Sequence, residues 1–317
     1  MLVGSLLAES GTNFLPGGEV ETSEGPRRYL VVEACEYRRA FLELAPSMIV
    51  ITNIEEDHLD YYKDLADIER AFLELTEKLR EGGTCVTTQD VRNRVFHPNL
   101  GTSDVPRFGW VDYGEISDDG LRLRIPGRHN VENAKAVLAA AGALGVSRES
   151  ALAALNDFHG TWRRFEYQGR IGGSGASVYD DYAHHPSEIR ATLQGAREAR
   201  DKKYTIYRIN GHGKLWAVFQ PHLFSRTRQL LDGFARSFVD ADEVLIVDIY
   251  AAREQDDAAI HSRDLTAAAQ KYHPRVRYGG SLAQAAEILK KETTPEDTVV
   301  LMGAGDIGGV SQMLRVR

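Results

Sequence analysis

The sequence predicts an α/β protein of two domains. The first carries a mostly parallel sheet with helices, and the second is a Rossmann-like α/β domain. Three observations carry that expectation. Short apolar runs without polar alternation recur along the chain, as strands buried on both faces require. Stretches of helical period and glycine-rich turns separate them, and strands alternating with helices mean a parallel, helix-covered sheet. At 317 residues the chain also exceeds one typical domain. The run GTWRRFE (160–166) follows a helical stretch and reads as the boundary, giving domains at 1–165 and 166–317.

Composition narrows the class. The chain is 43% hydrophobic and 26% charged, enough apolar material for a core. A formal net charge of −8 argues against general affinity for nucleic acid or an anionic membrane. Cys35 and Cys85 are too few for a disulfide framework or a structural zinc site, which favours a reducing cytoplasm. No apolar run approaches a membrane span, and the first eight residues read as the end of an amphipathic helix.

In chain order, residues 1–28 are glycine-rich and polar, as loops and edge turns are. YLVVE (29–33) and MIVIT (48–52) read as buried parallel strands, a helix is expected over about 67–80, and TCVTT (84–88) reads as a third strand. Glu33 ends the first run and His58 follows the second, so oxygen and nitrogen donors would share one sheet rim. There they could hold a divalent cation, although either alone also reads as a surface acid or a capping histidine. Residues 89–125 alternate weakly, as short antiparallel strands do. Arg128, Asn130 and Asn133 precede a helix expected over 134–144, where a helix entrance favours anions and Asn130 also suits an N-cap. In the boundary run Trp162 and Phe165 read as packing residues. Arg163 and Arg164 suit either phosphate contacts or interdomain salt bridges.

The second domain offers strands at 177–181, 215–220, 244–248 and 298–302, with helices over 187–200 and 226–239. Its most telling stretch is DDYAHHPSE (180–188). Asp180, Asp181, Tyr182, His184 and His185 crowd a strand-to-helix junction, where open α/β sheets bind ligands. Clustered like charges serve no folding purpose and cost repulsion, which favours a functional site. Arg226 and Arg228 stand at the next such junction, where arginine can clamp a carboxylate bidentately. GAGDIGG (303–309) resembles a phosphate-binding turn. Glycine after a strand also simply permits a tight turn, and no βαβ continuation follows, so a dinucleotide cofactor is not expected.

Seven segments, in order, carry a resemblance: EACEYRRAFLELAP, TNIEEDHLDYY, PGRHNVENAKAV, TWRRFE, DDYAHHPSE, FQPHLFSRTR and GAGDIG. Together they resemble the Mur ligases of peptidoglycan synthesis. The likeness is nearest to the branch that joins L-alanine to UDP-N-acetylmuramate, with the murein-tripeptide recycling branch next. The resemblance implies a central ATPase domain, here truncated at its N-terminus, followed by a C-terminal ligase domain. It implies ATP and magnesium as cofactors, with UDP-N-acetylmuramate and L-alanine as substrates. Residue by residue, it implies Glu33 and His58 as magnesium ligands, and Asn130, Asn133, Arg128 and Arg163 on the ATP side. Asp181 would meet the ribose, while Tyr182, His184 and Arg226 would receive L-alanine. Where Leu223 stands some members carry a basic residue, and Cys35 and Tyr37 stand where acidic or small polar residues are commoner.

The family also uses a phosphate loop of the GTHGKT type, and no G-x-x-G-K-[ST] occurs in this sequence. NGHGK (210–214) precedes Leu215 and reads as an ordinary loop. Two expectations follow. One is a ligase completed by a missing N-terminal chain; the other is a non-catalytic homologue that binds nucleotide or a full-length ligase.

Overall fold

The structure is a computed structural model that describes residues 4–7, 10–22, 25–96, 108–200, 213–255 and 259–314. Two compact units emerge, Met1–Arg122 with His129–Phe158, and Leu123–Arg128 with His159–Arg317. Among the described residues no helix is long and apolar enough to cross a membrane.

In the first unit, β1 (Val20–Thr22) and β2 (Gly25–Arg27) form an antiparallel pair. Then come β3 (Met48–Val50), α1 (Leu65–Glu77), β4 (Thr84–Thr87), α2 (Gln89–Val95), β5 (Gly109–Asp112), α3 (Arg128–Ala143) and α4 (Arg148–Asp157). The sheet order is β3-β4-β5, parallel throughout. The Asp64 side chain caps α1 by accepting from Asp67 N at 2.8 Å, meeting one of the four N–H groups a helix start leaves open. The buried face of α1, with Ile68, Ala71 and Leu75, packs with Phe41, Ile49, Ile51 and Cys85.

Four expectations for this unit need correction. Residues 29–33 do not form a buried strand: only Val32 makes a bridge, and Leu30 and Val31 are 77% and 54% exposed. Apolarity signals burial, but a strand also needs a hydrogen-bonded neighbour along its length, and this run has none among the described residues. Residues 89–125 hold no antiparallel pair among the described residues. Thr88 caps a helix there by accepting from Val91 N, and β5 runs parallel to β4. Helix α3 starts at Arg128, directly after Pro126 and Gly127, so Asn130 lies inside its first turn and is not its cap. Gly4–Leu7 are not helical, and Met1–Val3 lie outside the described residues.

The second unit runs β6 (Glu166–Arg170), β7 (Ser177–Asp181), α5 (Pro186–Arg200), β8 (Leu215–Phe219), α6 (Phe224–Gln229), α7 (Leu231–Ala235) and β9 (Glu243–Val247). It continues with α8 (Ser262–Ala269), β10 (Val276–Gly280), α9 (Leu282–Glu292), β11 (Thr298–Met302) and α10 (Gly309–Met313). The sheet order is β10-β9-β8-β11-β7-β6, parallel except for antiparallel β6. Side chains alternate faces. Ala217, Phe219, Ile246 and Val300 join a core with Ile189, Leu193, Phe234 and Leu265. Trp216, Val218, Leu245 and Val299 join one with Ala285, Leu289 and Val310 on the other face. Each fully buried aliphatic side chain contributes about 1.5–3 kcal/mol of transfer energy. The helix expected over 226–239 is two short ones, because Leu230 (φ −103°, ψ 19°) leaves the helical conformation.

Candidate functional site

Because β7, β8, β9 and β11 are parallel, their carboxyl ends open on one rim, the usual ligand side of such a sheet. The Asp180–Asp181 pair ends β7 there, yet both carboxylates turn inward. Asp181 is buried and accepts from Phe165 N (2.8 Å), Ala183 N (2.9 Å) and Thr192 Oγ1 (3.2 Å). Burial raises its pKa to about 6, against the pull of those backbone donors. Asp180 pairs with Arg163, whose Nε and Nη2 reach its two oxygens at 2.8 and 3.2 Å. Burial raises Asp180 as well, and Arg163 opposes it.

Arg163 itself is 5% exposed, at a left-handed φ of 55°. Besides Asp180 it donates to Gly303 O (2.7 Å) and Gly305 O (3.1 Å). All these partners belong to its own unit. Asp181 likewise spends its oxygens on donors of its own unit. Trp162 is half exposed, whereas Phe165 is buried and stacks on Tyr179 at 4.6 Å.

The turn 303–309 is held by bonds within its own unit. Gly303 N donates to Asp181 O, Ile307 N to Gln220 Oε1 and Gly309 N to Asp306 O, while the Gly303 and Gly305 carbonyls face Arg163. Glycine is needed there for close approach. A methyl added at Gly305 would lie 2.5 Å from Gln220 Oε1 and 2.6 Å from Tyr250 Cγ. Lys214, at the start of β8, pairs with Glu243 at 2.7 Å, and residues 210–212 of the NGHGK run lie outside the described residues.

What the rim does expose is a ring of imidazoles, phenols and guanidinium groups. Tyr182 and His184 meet edge to face at 5.1 Å, His184 and His222 at 6.2 Å, and His222 stacks on Tyr250 at 5.8 Å. His184 Nδ1 lies 2.9 Å from Tyr182 O, which can only accept, so that nitrogen carries the proton. In the neutral ring Nε2 is then the acceptor. Glu188 accepts from His184 N and His185 N at the entrance of α5. Burial, then the charges of His184, Arg226 and Arg253, lowers the His222 pKa to about 4. Its Nδ1 finds no hydrogen-bond partner among the described residues. Arg226 and His184 thus both act electrostatically on His222.

His222 and Tyr250 were not anticipated. A histidine just past β8, in QPHLFSR, was the available signal for the first. Tyr250 gave none, since a parallel bridge to His222 brings it there. Leu223 N donates to Tyr250 O at 2.9 Å, and Leu223 is buried at φ 66°.

In the first unit, Glu36, Asp57 and His58 bring one ligand atom each within 4.8 Å of one another. His58 Nε2 is 3.3 Å from Glu36 Oε1, and that contact lowers the Glu36 pKa. His58 stands at φ 53°, an uncommon conformation for a non-glycine residue, under the Tyr37 ring at 4.8 Å. Two carboxylates and an imidazole suit a hard divalent cation that keeps waters or phosphate oxygens on its other faces. Glu33 is outside this group; its carboxylate accepts from Gly4 N at 2.5 Å. Arg128 and Asn130 occupy the first turn of α3, and Asn133 follows, exposed, on the next.

Comparison with known proteins agrees with this architecture. Residues 21–141 match the profile of the Mur ligase middle domain, and residues 163–305 that of the Mur ligase, glutamate ligase domain. The chain is 38% identical to a UDP-N-acetylmuramate–L-alanine ligase of Acetivibrio thermocellus, over 94% of this chain and 66% of the relative. It is 36% identical to one of Lachnospira eligens, over 98% and 68%. It superposes on a Thermotoga maritima UDP-N-acetylmuramate–alanine ligase with a TM-score of 0.68 and 24% identity, covering 98% of this chain and 67% of that one. A Mycobacterium tuberculosis folylpolyglutamate synthase solved with ADP gives 0.59 at 18% identity, over 90% and 66%. The chain thus spans about two thirds of the length of the curated relatives.

Proposed function

The chain belongs to the Mur ligase family, and on that premise we propose that it serves the ATP-dependent joining of L-alanine to UDP-N-acetylmuramate. One observation carries the reading: Tyr182, His184, His222 and Arg226 converge on the carboxyl rim of the second sheet. Cytoplasm, where nucleotide-linked precursors and ATP meet, is the matching location.

In this reading the muramyl carboxylate takes the terminal phosphoryl group of ATP and becomes an acyl phosphate. The alanine amine then attacks its carbonyl, and the tetrahedral adduct expels phosphate. Arg226 pairs with the alanine carboxylate, leaving the amine directed outward. The His184 acceptor nitrogen takes a hydrogen bond from that amine, and His222, neutral at working pH, adds no competing cation. Magnesium, when held by His58 with Glu36 and Asp57, would screen the crowded phosphate oxygens. The curated relatives named for this reaction, 34–38% identical, support the substrate pair.

No Gly-Lys pair in the sequence is followed by Ser or Thr. In this reading the cradle for the ATP phosphates is supplied by residues outside these 317. A second reading is a homologue that binds nucleotide or a full-length ligase without turnover. Phosphate release is measured with ATP, magnesium, UDP-N-acetylmuramate and L-alanine, with and without an added N-terminal ligase fragment. Release that needs all four and the fragment supports the ligase; none under either condition leaves the binding homologue.

A further inference from the structure

The Arg163–Asp180 pair is buried at 5% exposure on each side, and the mechanism above does not use it. Stability alone is a weak reason for such a pair, because desolvation offsets most of its attraction and apolar residues of similar size fold as well. An apolar pair cannot, however, hold a carboxylate and two carbonyl oxygens in fixed directions at once. The Arg163 fork does, through the Asp180 oxygens, Gly303 O and Gly305 O.

What those carbonyls control follows from the packing of the turn. Gly305 lies against the Tyr250 ring and Gln220 Oε1, so closely that a methyl there would overlap both. Gln220 in turn holds Asp306 Oδ1 at 2.7 Å and Ile307 N at 3.0 Å. Tyr250 is the ring on which His222 stacks. On its other side Arg163 accepts from Tyr182 N at 2.6 Å through its carbonyl and sets its guanidinium 5.3 Å from the Tyr182 ring. At Gly308 a methyl would meet Asp180 Oδ2 at 2.8 Å, so the turn closes tightly over the pair.

We propose that Arg163 is a positioning residue. Through the turn 303–309 it fixes the Tyr250–His222 ring pair at the rim, and through its own carbonyl it fixes Tyr182, at the other end of the ring contacts that run through His184. The inference rests on the amino-acid reading only for what the ring cluster binds; the geometry stands without it.

The test needs a readout that general destabilisation does not move, and the His222 ring supplies one. Its surroundings hold His184 from the β7–α5 junction, Arg226 from α6, and Arg253 and Glu254 from the loop after β9. Arg163 is not among those charges, so a change in the His222 midpoint reports geometry. In the native chain, NMR titration of the ring is expected to give a midpoint near 4, against 6.5 for a free histidine. In R163K, which keeps the charge and loses the fork, the midpoint should rise by at least about one unit while the thermal midpoint still shows a folded chain. Should R163K not fold, R163M/D180L, which leaves no charge unpaired, takes its place. G305A, pressing on Tyr250 from the turn, should displace the midpoint too. An unchanged midpoint in a folded R163K or R163M/D180L chain overturns the proposal.

With the ligase reconstituted, R163K should raise KM for L-alanine roughly ten-fold and leave KM for ATP within about two-fold. A moved His222 midpoint with an unmoved alanine KM would leave Arg163 its role and remove alanine from the ring cluster.

Discussion

His222 and Tyr250 lie ring on ring, 5.8 Å apart and 20° from parallel, across the bridge that joins the exits of β8 and β9. That shelter disfavours the charged imidazole and holds the His222 pKa near 4. An unfolded histidine titrates near 6.5, so between 6.5 and 4 the unfolded chain binds the extra proton. The stability His222 contributes is thus complete above 6.5 and is lost as pH falls toward 4. Asp181 acts in the opposite sense. Its folded pKa of about 6 lies above the ordinary 3.8, so its contribution is present below 3.8 and is lost as pH rises through 6. Between 4 and 6 the two slopes oppose. Urea unfolding of H222Q across that interval should therefore show stability falling as pH rises, where the native chain is flatter. A native-like profile in H222Q would mean that His222 is not sheltered.

Divalent cation binding should follow Glu36, Asp57 and His58, whose ligand atoms already converge. Electron paramagnetic resonance of added manganese should show roughly ten-fold weaker binding for H58A and for E36Q. E33Q should change it less, because Glu33 is engaged with Gly4 N and stands outside the cluster. Equal loss from E33Q would return Glu33 to the ligand set and imply that the backbone around 33–36 rearranges when the ion arrives.

The two cysteines should react differently. Cys85 sits on β4 with no exposed surface, and burial pushes its thiol up to about 12, so it is neither reachable nor ionised. Cys35 is exposed. A chromogenic disulfide reagent should modify one thiol rapidly in the native chain and the second only on unfolding. Two rapid equivalents would show that the first sheet opens easily.

The second sheet was legible because its central strands are buried on both faces, which leaves unbroken apolar runs such as LWAVF and TVVLM. Edge strands β6 and β10, EYQGR and VRYGG, lack that signature and escaped notice. Residues 29–33 erred the other way, since composition reports that a segment is apolar and not that a neighbour pairs with it. At the rim, sequence found the residue types but not the direction each faces. Asp180 and Asp181 read as ligand groups because they are charged and adjacent. Arg163, the partner of Asp180, and Phe165, one donor to Asp181, stand 17 and 16 residues earlier, and the Arg163 fork closes on carbonyls 140 and 142 residues later. No local pattern encodes contacts of that separation. Tyr182, His184 and Arg226 stand out in the sequence because they occupy strand-to-helix junctions, a position the alternating pattern does reveal.

Two tryptophans make the closing case that location governs cost. Trp216 lies on β8 at 1% exposure, among Val218, Leu245 and Leu289, with Nε1 3.4 Å from Asp297 Oδ2. Its removal leaves a cavity between a sheet and its covering helices, while Asp297 Oδ2 keeps its bond from Thr294 N, so W216A should lose about 3–5 kcal/mol in denaturant unfolding. Trp162, only one residue from the buried Arg163, is 50% exposed and touches that guanidinium only at 5.7 Å. W162A should stay within about 0.5 kcal/mol of the native chain. A cost for W162A near that for W216A would mean that Trp162 is covered in solution, and the boundary segment would then owe its conformation to that cover and not to the Asp180 clamp alone.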